Sequence, residues 1–427
     1  MLASMISAFK LPDLRKRIIF VFAMFAVYAV GLHIPIPGID RKAMDALFAQ
    51  GGQLFGMLDM FSGGALKKYT VFAMGIGPYI NASIIMQLLT MAVPSLEALA
   101  KEGEHGRKKI SQYTRYLTGV LAAFQAVGVN KVLMSANVLH VDVWTFLQIV
   151  ITLTAGTAFL MWVGEQITDR GIGNGVSMVI FAGIIASLPP QIAKTADLVM
   201  GQAIGLPAIM ALIVLFLGTV VGIVAIQQAQ RKIPIQHVKR VVGNKVYGGT
   251  SSFLPLRVNS AGVIPIIFAI SIQLFPLTIA KFVGTESRFG YNFNWFADHL
   301  QPSNNWVAAV LYALFIIGFT YFYTAVTFNV PDVAENLKKY GSYIPGIRPG
   351  KPTVEFLDRV MTRITLAGAI FLAIIALMQY WTPALTHINS FYLVGGTSLL
   401  IIVGVALETM QAIEAQLLMR NYEGFIK

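Results

Sequence analysis

Residues able to perform acid–base, metal or nucleophilic chemistry are few in this sequence and form no recognisable set. The chain has no cysteine, which excludes disulfides, cysteine-bound metals and a cysteine nucleophile. No His-Glu-x-x-His pair occurs, and Gly350-Lys351 is followed by Pro352 where a phosphate-binding loop needs Ser or Thr. The histidines fall in loops or at the edges of apolar segments: His33, His105, His140, His237, His299 and His387. We therefore predict a protein that is not an enzyme, binds no metal or cofactor, and takes its energy from a partner.

Branched aliphatic residues recur four positions apart, beside Gly and Pro. Ile76 and Ile80 form one such pair, and Val176 and Ile180 form another. Residues four apart share one face of a helix. Such a face is suited either to packing, against lipid or other helices, or to a hydrophobic constriction that excludes water. Spacing alone leaves both interpretations open.

The elements that carry these pairs are membrane spans. Only 12% of the 427 residues are charged and 56% are hydrophobic, whereas soluble domains carry about 25% charged residues. A membrane helix needs about 20 apolar residues, and helices satisfy their own backbone in lipid. Because Pro35-Ile-Pro-Gly38 follows the first apolar stretch in place of a cleavage site, we expect that stretch to be a retained helix. The sequence predicts ten spans: Ile18–Ile34, Val71–Val93, Tyr113–Met134, Val143–Val163, Val176–Ile192, Ala208–Ile226, Val258–Val283, Trp306–Val326, Ile364–Trp381 and Phe391–Leu407.

The orientation follows from the distribution of basic residues. With an even number of spans, both termini lie on one side, and the loops of that side carry most of the 32 Lys and Arg residues. Lys and Arg accumulate in cytoplasmic loops. We therefore predict that both termini are cytoplasmic.

The spans divide into two halves, residues 1–200 with helices one to five and residues 201–427 with helices six to ten. Gly75-Ile-Gly-Pro78 in the second span resembles Gly262-Val-Ile-Pro265 in the seventh, and Gly173-Asn-Gly175 in the fifth resembles Gly395-Gly-Thr397 in the tenth. Five helices per half give the halves opposite orientations. Inverted repeats with Gly/Pro-interrupted helices in matching positions are typical of transport folds. The alternative is that Gly and Pro are simply common in membrane helices.

Two long basic cytoplasmic loops, about 227–257 and 327–363, contain Gly and Pro and are predicted to have a defined shape. Positive charge in cytoplasmic loops needs no further explanation. It is also suited to docking a partner with an acidic or RNA surface.

Several functions remain for such a chain. A secondary transporter for a small solute would need a polar or ionisable site at mid-membrane, and an intramembrane enzyme would need paired catalytic residues at that depth. The sequence has neither, since Glu165 and Glu408 lie near span ends, where we expect them to be interfacial or paired with a basic residue. A membrane scaffold without a pore is a third alternative.

Long motifs spread along nearly the whole chain resemble the SecY family, the protein-conducting channels of the bacterial Sec translocon. These motifs are Ile36-Pro-Gly-Ile-Asp40, Met60-Phe-Ser-Gly-Gly-Ala-Leu66, Gly77-Pro-Tyr-Ile-Asn-Ala-Ser83, Glu102-Gly-Glu-His-Gly-Arg-Lys-Lys109, Gly164-Glu-Gln-Ile-Thr-Asp-Arg-Gly171, Val258-Asn-Ser-Ala-Gly-Val-Ile-Pro265, Ile344-Pro-Gly-Ile-Arg-Pro-Gly350 and Gly395-Gly-Thr-Ser-Leu-Leu400.

The resemblance implies an all-α membrane protein whose two inverted five-helix halves form a clamshell around an hourglass pore. By motif position, six aliphatic residues form a ring at its waist: Ile76, Ile80, Val176, Ile180, Ile267 and Ile401. Segment 54–66, with Phe61, Gly63 and Gly64, is the expected plug of the outer funnel. Asn81, Gln125 and Asn259 are the expected polar cluster of a lateral gate between helices two and seven.

The resemblance also implies partners and a location. Hydrophobic signal segments would open the gate and pass into membrane lipid, while other segments of signal-bearing polypeptides cross the pore. The basic loops are expected to dock the ribosome and the SecA motor ATPase, and SecE and SecG are the expected partner subunits. The expected location is the bacterial cytoplasmic (inner) membrane. The docking residues are expected to be Lys232, Lys239, Arg240, Lys245 and Arg348.

Overall fold

The computed structural model describes residues 9, 11–50, 59, 62–201, 205–237, 240–242, 245–247, 251–270, 272–273, 295, 299–300, 305–386 and 396–423. Residues 264–270 form a helical stretch within these ranges. The helices and strands are α1 Pro12–Gly31, α2 Arg41–Gln50, α3 Ala65–Lys68, α4 Gly77–Ala92, α5 Pro94–Lys101, α6 Glu104–Ser135, α7 Val143–Arg170, α8 Gly175–Met200, α9 Leu206–Gln228, β1 Gln230–His237, β2 Arg240–Val242, β3 Lys245–Tyr247, β4 Ser251–Arg257, α10 Trp306–Thr327, α11 Val330–Lys339, β5 Ser342–Tyr343, α12 Lys351–Thr386 and α13 Thr397–Glu423.

The helices confirm a multi-pass membrane architecture. Within the described ranges, seven helices are long and apolar enough to cross a membrane, or eight if α4 and α5 count as one bent span. These two helices meet at an angle of 100°. Pro94 begins α5 directly after Val93, and a proline there cannot donate the backbone hydrogen bond that would continue α4. The number ten is not established by these helices and stays a prediction.

Several span boundaries were predicted wrongly. The second span does not start at Val71, because residues 71–76 form turns and α4 begins at Gly77. The seventh span is not helical from Val258, since the helix there begins at residue 264. α13 begins at Thr397 and extends to Glu423. For the second and seventh spans, hydropathy marked apolar residues correctly but could not distinguish a helix from the turn that precedes it; residues 391–395 of the predicted tenth span lie outside the described residues.

The two halves share a close helix–backbone contact. In α7, a Cβ added to Gly156 would lie 2.1 Å from the carbonyl oxygen of Val71, and in α12 one added to Gly368 would lie 2.5 Å from that of Val258. Val71 lies six residues before the start of α4, and Val258 lies six residues before the start of the 264–270 helix. Glycine lets helices and backbone approach this closely in a membrane. The same contact thus occurs at matching positions of the two halves.

The two long loops are structured, and the all-α prediction is wrong for this part of the chain. β1 pairs antiparallel with β4 and, through Gln236 and His237, with β5, which gives a three-stranded sheet of order β4-β1-β5. β2 and β3 form a separate two-stranded pair. The predicted loop 327–363 contains α11, β5 and the first turns of α12. Both long loops therefore belong to one folded unit.

This unit has its own apolar core. Buried residues from the sheet, α11 and α12 pack together: Ile233, Leu256, Val330, Ile344, Leu357 and Met361. Ile233 and Ile235 alternate with exposed residues along β1, as in a half-buried strand. Pro234 between them cannot donate to a neighbouring strand, and it lies where only β4 pairs with β1. The sheet, α11 and the first turns of α12 thus form one unit with a shared apolar core, called the platform below.

Candidate functional site

Each of four helices of the predicted pore is preceded by a glycine with a positive φ angle, which we call the entrance of that helix. Gly75, Gly173, Gly262 and Gly396 have φ angles of 55°, 79°, 63° and 115°, a region that is readily accessible only to glycine. Each lies one or two residues before a helix, namely α4, α8, the 264–270 helix and α13. The Gly-rich motifs identified in the sequence therefore mark places where the chain turns sharply before entering a helix.

The predicted ring residues lie just inside these entrances. Ile76 and Ile401 are 3% and 2% exposed, and Ile180 is 8% exposed. These three belong to one apolar cluster, against which Ile80 and Val176 pack as half-buried residues. The exposures exclude lipid-facing packing for the three buried members, which was one of the open interpretations. The cluster draws residues from α4, α8 and α13, and so from both halves.

Ile267 is the ring residue with a different environment. It is half-buried, and its neighbours Ile266 and Ala269 are the ones that belong to the apolar cluster. Residues 266 and 269 share a helix face that residue 267 does not. The assignment of Ile267 to the ring stays a prediction.

The predicted plug is described at Asp59 and from Ser62 onward, whereas Phe61 lies outside the described residues. Gly63 and Gly64 have φ angles of 73° and 82°. A Cβ on Gly63 would lie 2.8 Å from the Tyr28 hydroxyl and 3.0 Å from Cα of Gly183, while a Cβ on Gly64 would meet nothing within 4 Å. Gly183 lies three residues after Ile180 on α8. The segment is therefore seated directly against a helix that carries a predicted ring residue.

The predicted gate residues lie on three stretches of the chain, two of which are shown in contact. Asn81 and Gln125 are half-buried on α4 and α6, which pack against each other. Asn259 is 6% exposed, and its Nδ2 donates to the Gly262 carbonyl 3.3 Å away. Its Oδ1 is buried without a hydrogen-bond partner among the described residues. An unpaired buried acceptor costs about 1–3 kcal/mol, so this site would favour a structure or ligand that supplies a donor.

The predicted docking residues lie on the platform formed by the sheet, α11 and α12, as far as they are described. Lys232 is exposed on β1, and Arg240 and Lys245 have described backbones in β2 and β3, whereas Lys239 lies outside the described residues. Arg348 is exposed in the turn between β5 and α12. The hydroxyl of Thr353, which is 3% exposed, donates to the Arg348 carbonyl over 2.9 Å. The Arg348 side chain is therefore presented on a fixed turn.

Strand pairing brings the two basic loops together. Besides the backbone pairing of β5 with β1, the Ser342 hydroxyl lies 2.8 Å from Nδ1 of His237, and Ser252 lies 3.1 Å from Nε2 of the same ring. The sequence analysis treated the loops separately and missed this bridge. The alternation of Ile233 and Ile235 with less apolar residues is a signal that could have indicated β1, but it was not used, and a two-residue strand such as β5 carries no readable pattern.

Of the two ionisable residues singled out in the sequence, Glu165 lies five residues before the end of α7, whereas Glu408 lies within α13, away from both of its ends. Glu165 accepts from Nε of Arg115 over 2.6 Å, as predicted for a carboxylate paired with a basic residue. No cluster of three metal-ligating side chains occurs among the described residues. Sequence reasoning missed the contacts of Tyr28 and Gly183 with Ser62 and Gly63 of the predicted plug, and the hydrogen bonds that Asp59 makes within it, because none of these residues belongs to a spacing pattern that marks a site.

Solved channel structures resemble this fold. A structure described as a protein-conducting channel superposes with a TM-score of 0.64 at 19% identity, covering 94% of this chain and 92% of the other. A structure concerned with the plug domain of SecY, said there to stabilise the closed state and maintain a membrane seal, gives 0.63 at 18% identity with the same coverage. Sec61 in a canine ribosome–channel complex gives 0.61 at 18% identity, again covering 94% and 92%. At these identities the likeness concerns the fold.

Sequence relatives extend over the full length. The protein translocase subunit SecY of Streptomyces galbus is 46% identical over 449 residues, covering 100% of both chains. That of Halalkalibacterium halodurans is 45% identical over 428 residues, covering 98% of each. The family profile for SecY matches residues 70–410. This chain therefore belongs to the SecY family.

Proposed function

We propose that this chain forms the channel through which unfolded secretory polypeptides cross the bacterial cytoplasmic membrane. The observation that carries the proposal is the burial of aliphatic residues at the glycine-marked entrances of α4, α8 and α13, in a chain of the SecY family. Membership of this non-enzymatic family also accounts for the scarcity of catalytic residues.

In the proposed channel, the apolar cluster around Ile76, Ile180 and Ile401 is the resting constriction, completed by Ile80, Val176 and Ile267. Aliphatic side chains offer no hydrogen bonds to a passing polypeptide, so the constriction has no sequence preference. Each contact contributes only about 0.1–0.2 kcal/mol per atom pair. The contacts can therefore separate around a chain and form again at small cost.

The lateral gate is proposed between α4 and the 264–270 helix, with Asn81, Gln125 and Asn259 in its polar cluster. Hydrogen bonds between membrane helices contribute about 0.6–2 kcal/mol, which favours a closed gate yet lets a hydrophobic signal helix open it. Apolar segments then pass into lipid. Polar segments continue through the pore, because a central Asp, Lys or Arg costs about 2.5–3.5 kcal/mol in the membrane.

The two halves are proposed to be inverted repeats that hinge as a clamshell. Two features support this: the glycine–carbonyl contacts at Gly156 and Gly368, and the positive-φ glycines before α4 and the 264–270 helix. Each feature occurs at the same distance from its helix in both halves. Unrelated glycines would not be expected to match in this way.

The platform is proposed to dock the ribosome and the SecA motor, with SecE and SecG as further subunits. Support comes from the joining of both basic loops in one sheet over a common core. The fold likeness to a ribosome-bound channel agrees with this. Both termini are proposed to be cytoplasmic, because the basic loops and the termini share one side.

Reversal of one platform charge tests the docking proposal. Arg348→Glu should reduce motor-driven translocation at least tenfold, because it replaces an exposed cation on a fixed turn with an anion. The measurement is protease protection of a secretory protein by liposomes that contain the channel, its subunits and the motor. Arg359→Glu, an equal charge change at an exposed position of α12, serves as the control.

We expect Arg359→Glu to retain most of the translocation. Equal losses in both variants would point to a general charge effect. Full translocation by Arg348→Glu would contradict the docking role of that residue.

A further inference from the structure

The predicted plug is organised by the half-buried side chain of Asp59. Oδ1 of Asp59 accepts from the backbone N–H of Lys67 over 2.7 Å. The Asp59 carbonyl accepts from the N–H of Gly64 and from the hydroxyl of Ser62, both over 2.8 Å. The Ser62 hydroxyl in turn accepts from the N–H of Leu66 over 3.1 Å. One residue thus organises the turn that seats Gly63 against α8.

Charged groups from three other elements surround this turn. Nζ of Lys67 pairs with Oδ1 of Asp45 on α2 over 2.9 Å. Lys194 on α8 interacts electrostatically with Asp59, Lys67 and Asp45. The hydroxyl of Tyr28 on α1 donates to the Ser62 carbonyl over 3.1 Å and lies close enough to Asp59 to interact with its charge. Among the described residues, these are the titratable groups that face Asp59.

Burial dominates the electrostatics of Asp59. It raises the pKa of the carboxyl to about 6, although the hydrogen bonds from Lys67 and Leu66 and the charges of Lys67 and Lys194 act in the opposite direction. By contrast, the hydrogen bond from Lys67 holds the pKa of the exposed Asp45 below its usual value. Asp59 therefore makes the hydrogen bonds that shape the turn while its charge is poorly stabilised there.

We propose that Asp59 is the positioning residue that sets how firmly the plug is held, because its side chain organises the docked turn while the burial of its charge favours release. The inference rests on the assignment of segment 54–66 as the plug of the proposed channel. The docked plug is expected to be weakly held at neutral pH, when the carboxylate is charged, and firmly held at acidic pH outside the cell.

The direction follows from proton linkage. A carboxyl whose pKa is about 6 when docked and about 3.9 when solvated binds a proton more tightly in the docked state. Docking is then strengthened as the pH falls through about 6, and the gain is complete below about 3.9. Between pH 7.5 and pH 5.0 the docking equilibrium should shift about tenfold toward the docked plug.

A single cysteine measures this equilibrium, since the chain has none of its own. Leu66→Cys places a thiol at a buried position of the segment, 8% exposed in the docked state, so an impermeant thiol reagent should reach it when the plug leaves. Ala136→Cys, exposed after the outer end of α6, reports the pH dependence of the reagent itself. The experiment uses the full chain with its partner subunits in sealed membranes, with the reagent and the pH change outside.

Relative to Ala136→Cys, modification of Leu66→Cys should slow about tenfold between pH 7.5 and pH 5.0. With Asp59→Asn added, which keeps an oxygen acceptor but no charge, modification should be slow at both values. Asp142→Asn, which removes an exposed carboxylate at the start of α7, should behave like the parent. The pH profile of the Leu66→Cys chain with Asp59 intact tests the proposal even if Asp59→Asn fails to fold.

Two results would contradict the inference: the first leaves the plug assignment intact, and the second does not. If a signal-bearing polypeptide speeds Leu66→Cys modification but pH and Asp59→Asn do not change it, the plug is real and the role of Asp59 is wrong. If a signal-bearing polypeptide has no effect on Leu66→Cys at either pH, the plug assignment fails and the inference falls with it.

Discussion

At the scale of single residues, Gly63 and Gly64 distinguish backbone strain from steric overlap, two effects of replacing a glycine that usually occur together. Both have positive φ angles, so alanine at either position costs about 1–2 kcal/mol in backbone strain. Only at Gly63 would the added methyl also collide, with the Tyr28 hydroxyl and with Gly183. The position of the plug therefore depends on the contact that Gly63 makes as well as on backbone freedom.

Gly63→Ala should accordingly leak more than Gly64→Ala. Overpacking adds about 1–3 kcal/mol to the backbone strain and should displace the plug from α8. The measurement is the resting ion conductance of the channel in planar bilayers, without a translocating polypeptide. Equal conductance in the two variants would mean that Gly63 is not seated against α8 in the resting channel.

Polar substitution in the ring should lower the channel's requirement for an intact signal sequence on the exported polypeptide. Ile180→Asn or Ile401→Asn buries an amide in the apolar cluster, and an unpaired buried polar group costs about 1–3 kcal/mol. The closed state should weaken, so a reporter with a defective signal sequence should be exported severalfold better than by the parent channel.

Ile180→Leu is the matched control for the ring, because it keeps the site apolar and nearly the same volume. It should export the defective reporter no better than the parent. If the asparagine variants also retain the parental demand for an intact signal, residues 180 and 401 do not belong to the constriction.

Sequence reasoning identified some of these residues but not others. Ile76, Ile80, Val176 and Ile180 were found from spacing beside Gly and Pro, whereas the choice between packing and constriction required the resemblance to a family. Asp59 could not be found, because its significance comes from the turn that it organises and from its partial burial near Tyr28 of α1 and Lys194 of α8, which lie far away in sequence.

At the scale of elements, close contacts of glycines with backbone carbonyls set the helix positions. Gly156→Ala should force α7 away from the turn before α4, since the new methyl would lie 2.1 Å from the Val71 carbonyl. Such overpacking costs about 1–3 kcal/mol. The apparent midpoint of heat-induced unfolding in detergent, at a fixed scan rate, should fall.

Gly119→Ala on α6 is the control, because nothing lies within 4 Å of its added Cβ. There alanine should leave the midpoint unchanged or raise it, since it favours a helix interior over glycine by about 0.5–1 kcal/mol. A midpoint that falls equally in both variants would contradict a specific role for Gly156.

The elements themselves were predicted well where they are long and apolar, and poorly where they are short. Hydropathy identified segments such as α7 and α9 correctly, because lipid requires long runs of apolar residues. It gave no warning of β5 or of the turn before α4, since these depend on pairing with β1 and on a close approach to Gly156.

At the scale of the whole molecule, the proposed inverted repeat was predicted from two pairs of Gly/Pro motifs. The glycine–carbonyl contacts at Gly156 and Gly368 now support the first pair independently. The platform was not predicted as a unit, because nothing in the sequences of the two loops indicates that they share a sheet. The central claim about the molecule is that a polypeptide passes through the apolar constriction between the halves.

A disulfide between the channel and a translocating polypeptide tests that claim most directly. Ile180→Cys would be the only thiol in the chain, and a secretory polypeptide stalled during export would carry a single cysteine of its own. Val214→Cys on α9, at a position 67% exposed on the surface of the helix bundle, is the control. We predict a disulfide to residue 180 whose position along the polypeptide shifts with the stall point, and none to residue 214; export with disulfides elsewhere but never to residue 180 would contradict the account.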